Sequence, residues 1–221
     1  RNRMFAEKLV MTYPLWKGQI EIGEEYTNTR TTNLFSANIP ETPNADNRVD
    51  ENNIAVFAEL GQQFGRFMIG AGLRYEHVKF NYYEMGLLRD GQSKTYNNIF
   101  PSLNIATEVG KVRMGLNYTG KTIRPGYDQL DGAISYINRL TYETGNPYLK
   151  PTKLQTVEYM AQWRRFFAQL SYTYFKDGVY HITEPYGPEG EATIIRTANL
   201  DHRHYLQAFV GGNFQVGAWQ L

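Results

Sequence analysis

Long stretches of this chain alternate apolar and polar residues with a period of two. That pattern restricts the fold more than any other feature. Val112, Met114, Leu116 and Tyr118 fall on one face of an extended segment, with Lys111, Arg113, Asn117 and Lys121 on the other. The same reading holds for Phe67, Ile69, Ala71, Leu73 and Tyr75 against Arg74 and Glu76, and for Val157, Tyr159, Ala161 and Trp163 against Glu158 and Gln162. A strand apolar on one side and charged on the other has two homes. One is the wall of a water-filled membrane barrel; the other is a half-buried sheet in a soluble β-protein.

The connections between these runs are unequal. Short turns fall near residues 17, 65, 110, 164 and 212, while long connections occupy 36–50, 85–97, 124–152 and 184–192. Every short turn lies at one end of the strands and every long connection at the other. The pattern predicts one all-β domain over 1–221, an antiparallel meander of about ten long strands with tight periplasmic turns and long extracellular loops. The strands are expected near 4–15, 18–35, 51–63, 66–84, 95–109, 111–124, 152–164, 166–183, 192–210 and 213–221. They exceed the ~9–11 residues that cross a bilayer. A propeller repeat would need four short strands where two long ones fit. Aromatic residues gather beside the turns (Tyr13, Trp16, Phe64, Phe67, Trp163, Phe166, Phe214, Trp219), the placement expected of an interfacial girdle.

Composition closes off other classes. The chain has no cysteine, so disulfide frameworks and thiolate metal sites are excluded. Its formal net charge of +1 gives no pull toward nucleic acid. It holds no run of about 18 apolar residues that would form a membrane-spanning helix. A mean hydropathy of −0.52 favours a soluble protein, but barrel strands escape that test because alternate residues face water. A soluble or secreted β-domain, binding carbohydrate or acting as an adhesin, therefore stays open on composition. The opening Arg1-Asn2-Arg3 and the aromatic run ending at Leu221 suggest a fragment of a longer polypeptide.

Three segments resemble a known family. They are AVFAELGQQFGRFMIGAGLRYEH (55–77), NNIFPSLNIA (97–106) and the stretch 117–159. In the third, Arg124, Pro125, Tyr127 and Leu130 are followed by Gly145, Asn146, Pro147, Leu149, Lys150 and Pro151. Their order and spacing are similar to TonB-dependent outer-membrane receptors, particularly the Bacteroidetes outer-membrane β-barrel family. The resemblance covers roughly 50–185. It implies part of a transmembrane barrel of about 22 strands, set in outer-membrane lipid and plugged by a domain that contacts TonB. It also implies import of a scarce nutrient such as a siderophore or glycan. Neither a plug nor a TonB box is found in this sequence.

No phosphate loop, nucleophile elbow or zinc-protease motif is present, so no catalytic residue, enzyme activity or cofactor is expected. His202 and His204 share a strand face, but without a third ligand a metal site is not expected. Glu24 and Glu25 lie on opposite faces of a strand and cannot act as an acid–base pair. The expected lumen-lining residues are Arg74, Glu76, Arg113, Asn117 and Lys121. Contact with a small-molecule ligand is expected from the 124–152 loop, through Arg124, Tyr127, Tyr136, Tyr142 and Tyr148. The Gly-Asn-Pro and Lys-Pro pieces read as turn chemistry rather than ligand contacts.

Overall fold

The computed structural model describes residues 1–35, 45–216 and 219–220; the side chains of Phe35, Ala45, Tyr127, Gln215, Val216, Trp219 and Gln220 lie outside the described residues. The elements run β1 (Asn2–Leu15), β2 (Gly18–Phe35), β3 (Ala45–Phe64), β4 (Phe67–Glu84), β5 (Leu87–Leu88), β6 (Lys94–Val109), β7 (Val112–Ile123), α1 (Tyr127–Leu130), β8 (Ile134–Asn138), β9 (Thr141–Thr144), β10 (Thr152–Trp163), β11 (Phe166–Tyr186), β12 (Ala192–Gly212), β13 (Gln215–Val216) and β14 (Trp219–Gln220). The long strands form a meander in a 12-stranded sheet, ordered β1-β2-β3-β4-β6-β7-β10-β11-β12-β9-β8, with β5 beside β4. Every pairing is antiparallel except that of β9 with β12.

The register explains the sidedness. Tyr13, Ile20, Leu60, Ala71, Leu103, Tyr118, Val157, Tyr172 and Leu206 are successive cross-strand partners, forming one unbroken apolar row. One residue along, the row is Thr12, Glu21, Glu59, Gly72, Ser102, Thr119, Thr156, Thr173 and Tyr205. Side chains of adjacent residues point to opposite faces, so each strand contributes to both rows. A slip of one residue in any pairing would mix them. The face to which this apolar row belongs is open rather than covered, with Leu73, Leu116, Leu170 and Leu206 all exposed to the surroundings. A soluble sheet would hide such a surface.

The apolar face is a band of limited height. On β3 it runs from Ile54 to Phe64, on β4 from Phe67 to Tyr75, and on β10 from Val157 to Trp163. These lengths approach the ~9–11 residues of a bilayer crossing. Tyrosines close its upper edge. The Tyr26 hydroxyl donates to Asn52 Oδ1 at 3.1 Å, Tyr75 donates to Asn97 Oδ1 at 2.8 Å, and Tyr172 shares a hydrogen with His204 Nδ1 at 2.7 Å. Each ring sits in the band while its hydroxyl reaches a polar residue just beyond. At the lower edge, Tyr13, Phe64, Phe67, Trp163 and Phe166 are all exposed beside the tight turns.

Those turns connect β1–β2, β3–β4, β6–β7 and β10–β11. Each begins with a left-handed residue: Trp16 (φ 51), Gly65 (φ 59), Gly110 (φ 64) and Arg164 (φ 53). Tight hairpins need a positive φ to follow strand twist. Glycine meets that need freely at two turns, while Trp16 and Arg164 accept some strain.

Several expected boundaries move. Residues 45–50, expected in a loop, extend β3, whereas β6 begins at Lys94, one residue before its expected start at 95. Residues 184–186 also belong to a strand, and β12 starts at 192 as expected, leaving a loop of 187–191. The alternation signal is weak at 45–50 because the outward face lies beyond the apolar band and is polar, while the inward face mixes polar residues such as Asn47 with buried Val49. The long 124–152 connection is not irregular either, since it contains α1, β8 and β9. Among the described residues of 213–221, the expected tenth strand does not join the main sheet. Its described part is the small β13–β14 pair, outside the main sheet.

Candidate functional site

The polar face carries a chain of ion pairs across the sheet. Lys8 Nζ meets Glu25 at 2.8 Å, Arg74 meets Glu25 at 2.5 Å and Glu76 at 2.8 Å, and Arg124 meets Glu76 and Glu51 at 3.1 Å each. The cations and carboxylates alternate through these contacts, so each carboxylate has a cation beside it. Phe57 supports the array, its ring lying under both Lys8 and Arg74. That ring lies where a side chain on Gly23 would go, so a residue larger than glycine there would displace it. Lower on the same face, Asn104 bonds Asn117, and Arg113 pairs with Glu108 at 3.1 Å. Lys121 shares this face by register.

The 124–152 connection folds over this polar face. Leu130 and Leu149 pack with Val49, Phe80 and Tyr82 from β3 and β4, and Val179 from β11 joins the cluster. One loop thus touches strands far apart in the sheet, which requires the sheet to curve toward its polar side. Polar contacts fasten the same fold. Asp131 accepts from Asn33 and from Asn47, the latter at 2.5 Å. Asn146 Nδ2 donates to the Thr197 carbonyl at 3.1 Å, and the Asn146 amide donates to the Gln129 carbonyl at 2.6 Å. Asn199 holds the Lys150 backbone through both its amide atoms.

This geometry explains the Gly-Asn-Pro-Tyr-Leu-Lys-Pro motif. A Cβ on Gly145 would collide with the Asp131 and Gln129 carbonyls. Asn146 bridges two segments, and Leu149 is buried in the cluster at 2% exposure. Lys94 Nζ donates to the Tyr148 carbonyl at 2.8 Å and the Leu149 carbonyl at 3.3 Å. Burial, followed by the nearby Lys150 charge, lowers the Lys94 pKa below its ordinary value.

Between the folded connection and the wall lies a cavity of about 670 Å³. Its walls include Asn33 and Asn47 from β2 and β3, Asp128, Asp131 and Glu143 from the connection, and His181 and Thr197 from β11 and β12. Tyr82 also contributes. Burial, with Asp131 and Glu84 nearby, pushes its phenol up to about 12, so it stays a neutral hydroxyl. Amides, hydroxyls and carboxylates dominate a space of the size that takes a small molecule.

Among the described residues, the sequence-expected contacts Arg124, Tyr136, Tyr142 and Tyr148 do not line this cavity. Arg124 is engaged by Glu51 and Glu76. Tyr136 and Tyr142 are paired residues of the β8–β9 hairpin, and their rings meet at 5.8 Å. The adjacent pair, Ser135 and Glu143, lines the cavity, so alternation turns both tyrosines away from it. Tyr142 packs instead on Tyr186 at 4.8 Å. Tyr148 is exposed, and the Tyr127 side chain is outside the described residues. The cavity residues Asn33, Asn47, Asp131, His181 and Thr197 carried no local signal. They are spread along the sequence and meet only because the connection folds back. His202 bonds Asp201 at 3.2 Å and His204 bonds Tyr172. No cluster of three or more potential metal ligands occurs among the described residues.

A family model, the outer membrane protein beta-barrel family, matches residues 1–220. The chain belongs to this family. Its apolar band is the lipid-facing surface of an outer-membrane barrel, and its polar face lines the lumen. No curated protein sequence matches the chain. Among solved structures, it is similar to the copper transporter OprC (TM-score 0.69, 14% identity), covering 99% of this chain and 36% of that one. It is also similar to a mutant of the Pseudomonas aeruginosa ferric enterobactin receptor PfeA (0.65, 15%), covering 98% and 34%. A third is the Serratia marcescens hemophore receptor HasR (0.65, 12%), covering 99% and 40%. These TM-scores show a shared fold. The chain spans between about a third and two fifths of the length of these structures. Family membership and the exposed apolar band set aside the soluble or secreted β-domain.

Proposed function

We propose that this family member supplies wall, lumen lining and one inward-folded loop to an outer-membrane receptor that captures and imports a scarce small nutrient. Energy would come through a plug domain and TonB. The observation that carries the reading is the open polar cavity between the 124–152 connection and β2–β4 and β11–β12. Similarity to barrels named for copper, ferric enterobactin and heme supports a receptor role. Binding, rather than catalysis, is the role assigned to the cavity. Asp128, Glu143 and His181 on its walls are the proposed ligand contacts, while Asp131 positions the loop through Asn33 and Asn47.

The test uses the intact protein in its own bacterium. Cells carrying Glu143→Gln with His181→Ala are grown under single-nutrient limitation across iron chelates, heme, cobalamin and oligosaccharides. We expect a growth defect under one limitation, matching that of the gene deletion, with normal amounts of heat-modifiable barrel in the outer membrane. Wild-type growth under every limitation that affects the deletion strain would reject the cavity as the ligand site.

A further inference from the structure

The tight-turn end of the barrel has a charge pattern that import does not use. Each of the four tight turns within the main sheet carries a lysine or arginine as its second residue: Trp16-Lys17, Gly65-Arg66, Gly110-Lys111 and Arg164-Arg165. All of these basic residues are exposed, Arg164 included. None makes an ion pair among the described residues, although the chain as a whole is nearly balanced, with 23 Lys+Arg and 22 Asp+Glu. The ion-pair chain described above lies higher in the lumen. The acid nearest a turn, Glu108, is already held by Arg113 at 3.1 Å.

Rings mark where these cations sit. Trp163 stacks on Phe166 at 6.0 Å, and the Arg164 guanidinium lies 5.2 Å from the Trp163 ring. Phe64 and Phe67 flank Gly65-Arg66, and Trp16 itself opens the first turn with 85% exposure. Amphipathic rings settle at headgroup depth. The cations therefore emerge at the level of the phosphates, continuous with the lipid-facing band. Neighbouring hairpins are two strand spacings apart, ~10 Å. That is about one Debye length, so their fields overlap.

We propose that this rim binds anionic phospholipid headgroups in the leaflet where the tight turns end. Each turn would present a cation to a headgroup phosphate while the adjoining rings pack on the acyl chains. The uncompensated charge selects anionic over zwitterionic headgroups, and the contact fixes the barrel's depth.

The experiment uses the intact protein in nanodiscs of phosphatidylethanolamine, with and without phosphatidylglycerol, and counts retained lipids by native mass spectrometry. Wild type should retain phosphatidylglycerol over phosphatidylethanolamine by roughly tenfold, less so at high salt. Replacing Lys17, Arg66, Lys111, Arg164 and Arg165 by Gln should abolish the preference. The charge-conserving set Lys17→Arg, Arg66→Lys, Lys111→Arg, Arg164→Lys and Arg165→Lys should keep it. Should the neutral set not assemble, neutralising one turn at a time should lower the preference in steps. Equal retention of the two lipids by wild type would overturn the proposal, as would a preference untouched by neutralisation.

Discussion

The part of this chain within the apolar band and the part above it use the same strands under different rules. Within the band, Leu73 or Leu116 faces outward and is exposed, because the solvent there is hydrocarbon. Above it, on the same outward face of β3 and β4, stand Asp50, Asn52, Lys79 and Asn81. The inward face changes as well. Low in the lumen it holds Gly61, Gly70, Asn104 and Asn117, a wet wall with little packing. High in the lumen it holds Val49, Phe80 and Tyr82, which the 124–152 loop covers. The difference teaches that this protein has two sources of order. The wall is stabilised by strand pairing and lipid, whereas the loop region is stabilised by a small conventional core and a polar network.

The strongest challenge to that contrast is a charge on the outward face at two heights. Leu116→Arg, in the band, should destabilise the intact barrel by ~2–4 kcal/mol, while Gln155→Arg, above it, should cost under ~0.5 kcal/mol. Reversible unfolding in lipid vesicles measures both, and equal effects would remove the band.

Leu149→Ala should cost ~2–3 kcal/mol, but locally. Hydrogen exchange should speed up across 126–150 and remain slow in β7 and β10. Gly145→Ala should act in the same direction because its Cβ meets two carbonyls, and Gly61→Ala should do little because the space around it is open. Uniform loosening of the whole sheet would show that loop and wall are one cooperative unit.

A smaller effect, ~1 kcal/mol, is expected for Arg124→Gln, since its side chain is about one third exposed and solvent screens its two pairs. A double-mutant cycle with Glu51→Gln gives the coupling. Zero coupling would make this end of the ion-pair chain incidental.

The smallest effect is a pH dependence. Glu51, above the band, has its pKa raised from 4.5, chiefly by burial and against the pull of Arg124. The folded state therefore holds this proton more tightly than the unfolded state. Loop protection should rise as pH falls from above the raised pKa toward 4.5, and Glu51→Gln should flatten that trend. Protection that falls in this window in wild type would contradict the assignment.

Much of the wall was readable in advance. Period-two runs such as Phe67–Tyr75 and Val112–Tyr118 record a lipid on one side and water on the other, a purely local contrast. The Gly-Asn-Pro motif was also correctly read as structural. Residues 45–50 do not read as strand, because Asp46, Arg48 and Asp50 face outward beyond the lipid band, while Asn47 and Val49 on the inward face are covered only once the 124–152 connection folds over them. The ligand contacts expected of Tyr136 and Tyr142 rested on residue type, but side-chain direction depends on how the β8–β9 hairpin docks. Asn33, Asn47 and Asp131 were invisible as a group, being three polar residues in three separate segments.

The sequence by itself determined the strand periodicity, the placement of the tight turns and their cations, and hence the family. Those depend on neighbours one or two residues away and on the solvent outside each face. Only the tertiary structure decided that the 124–152 connection folds inward and which residues line its cavity. It also decided that Arg124 belongs to a chain of ion pairs. These depend on sheet curvature, which brings β3–β4 and β11–β12 within reach of one loop.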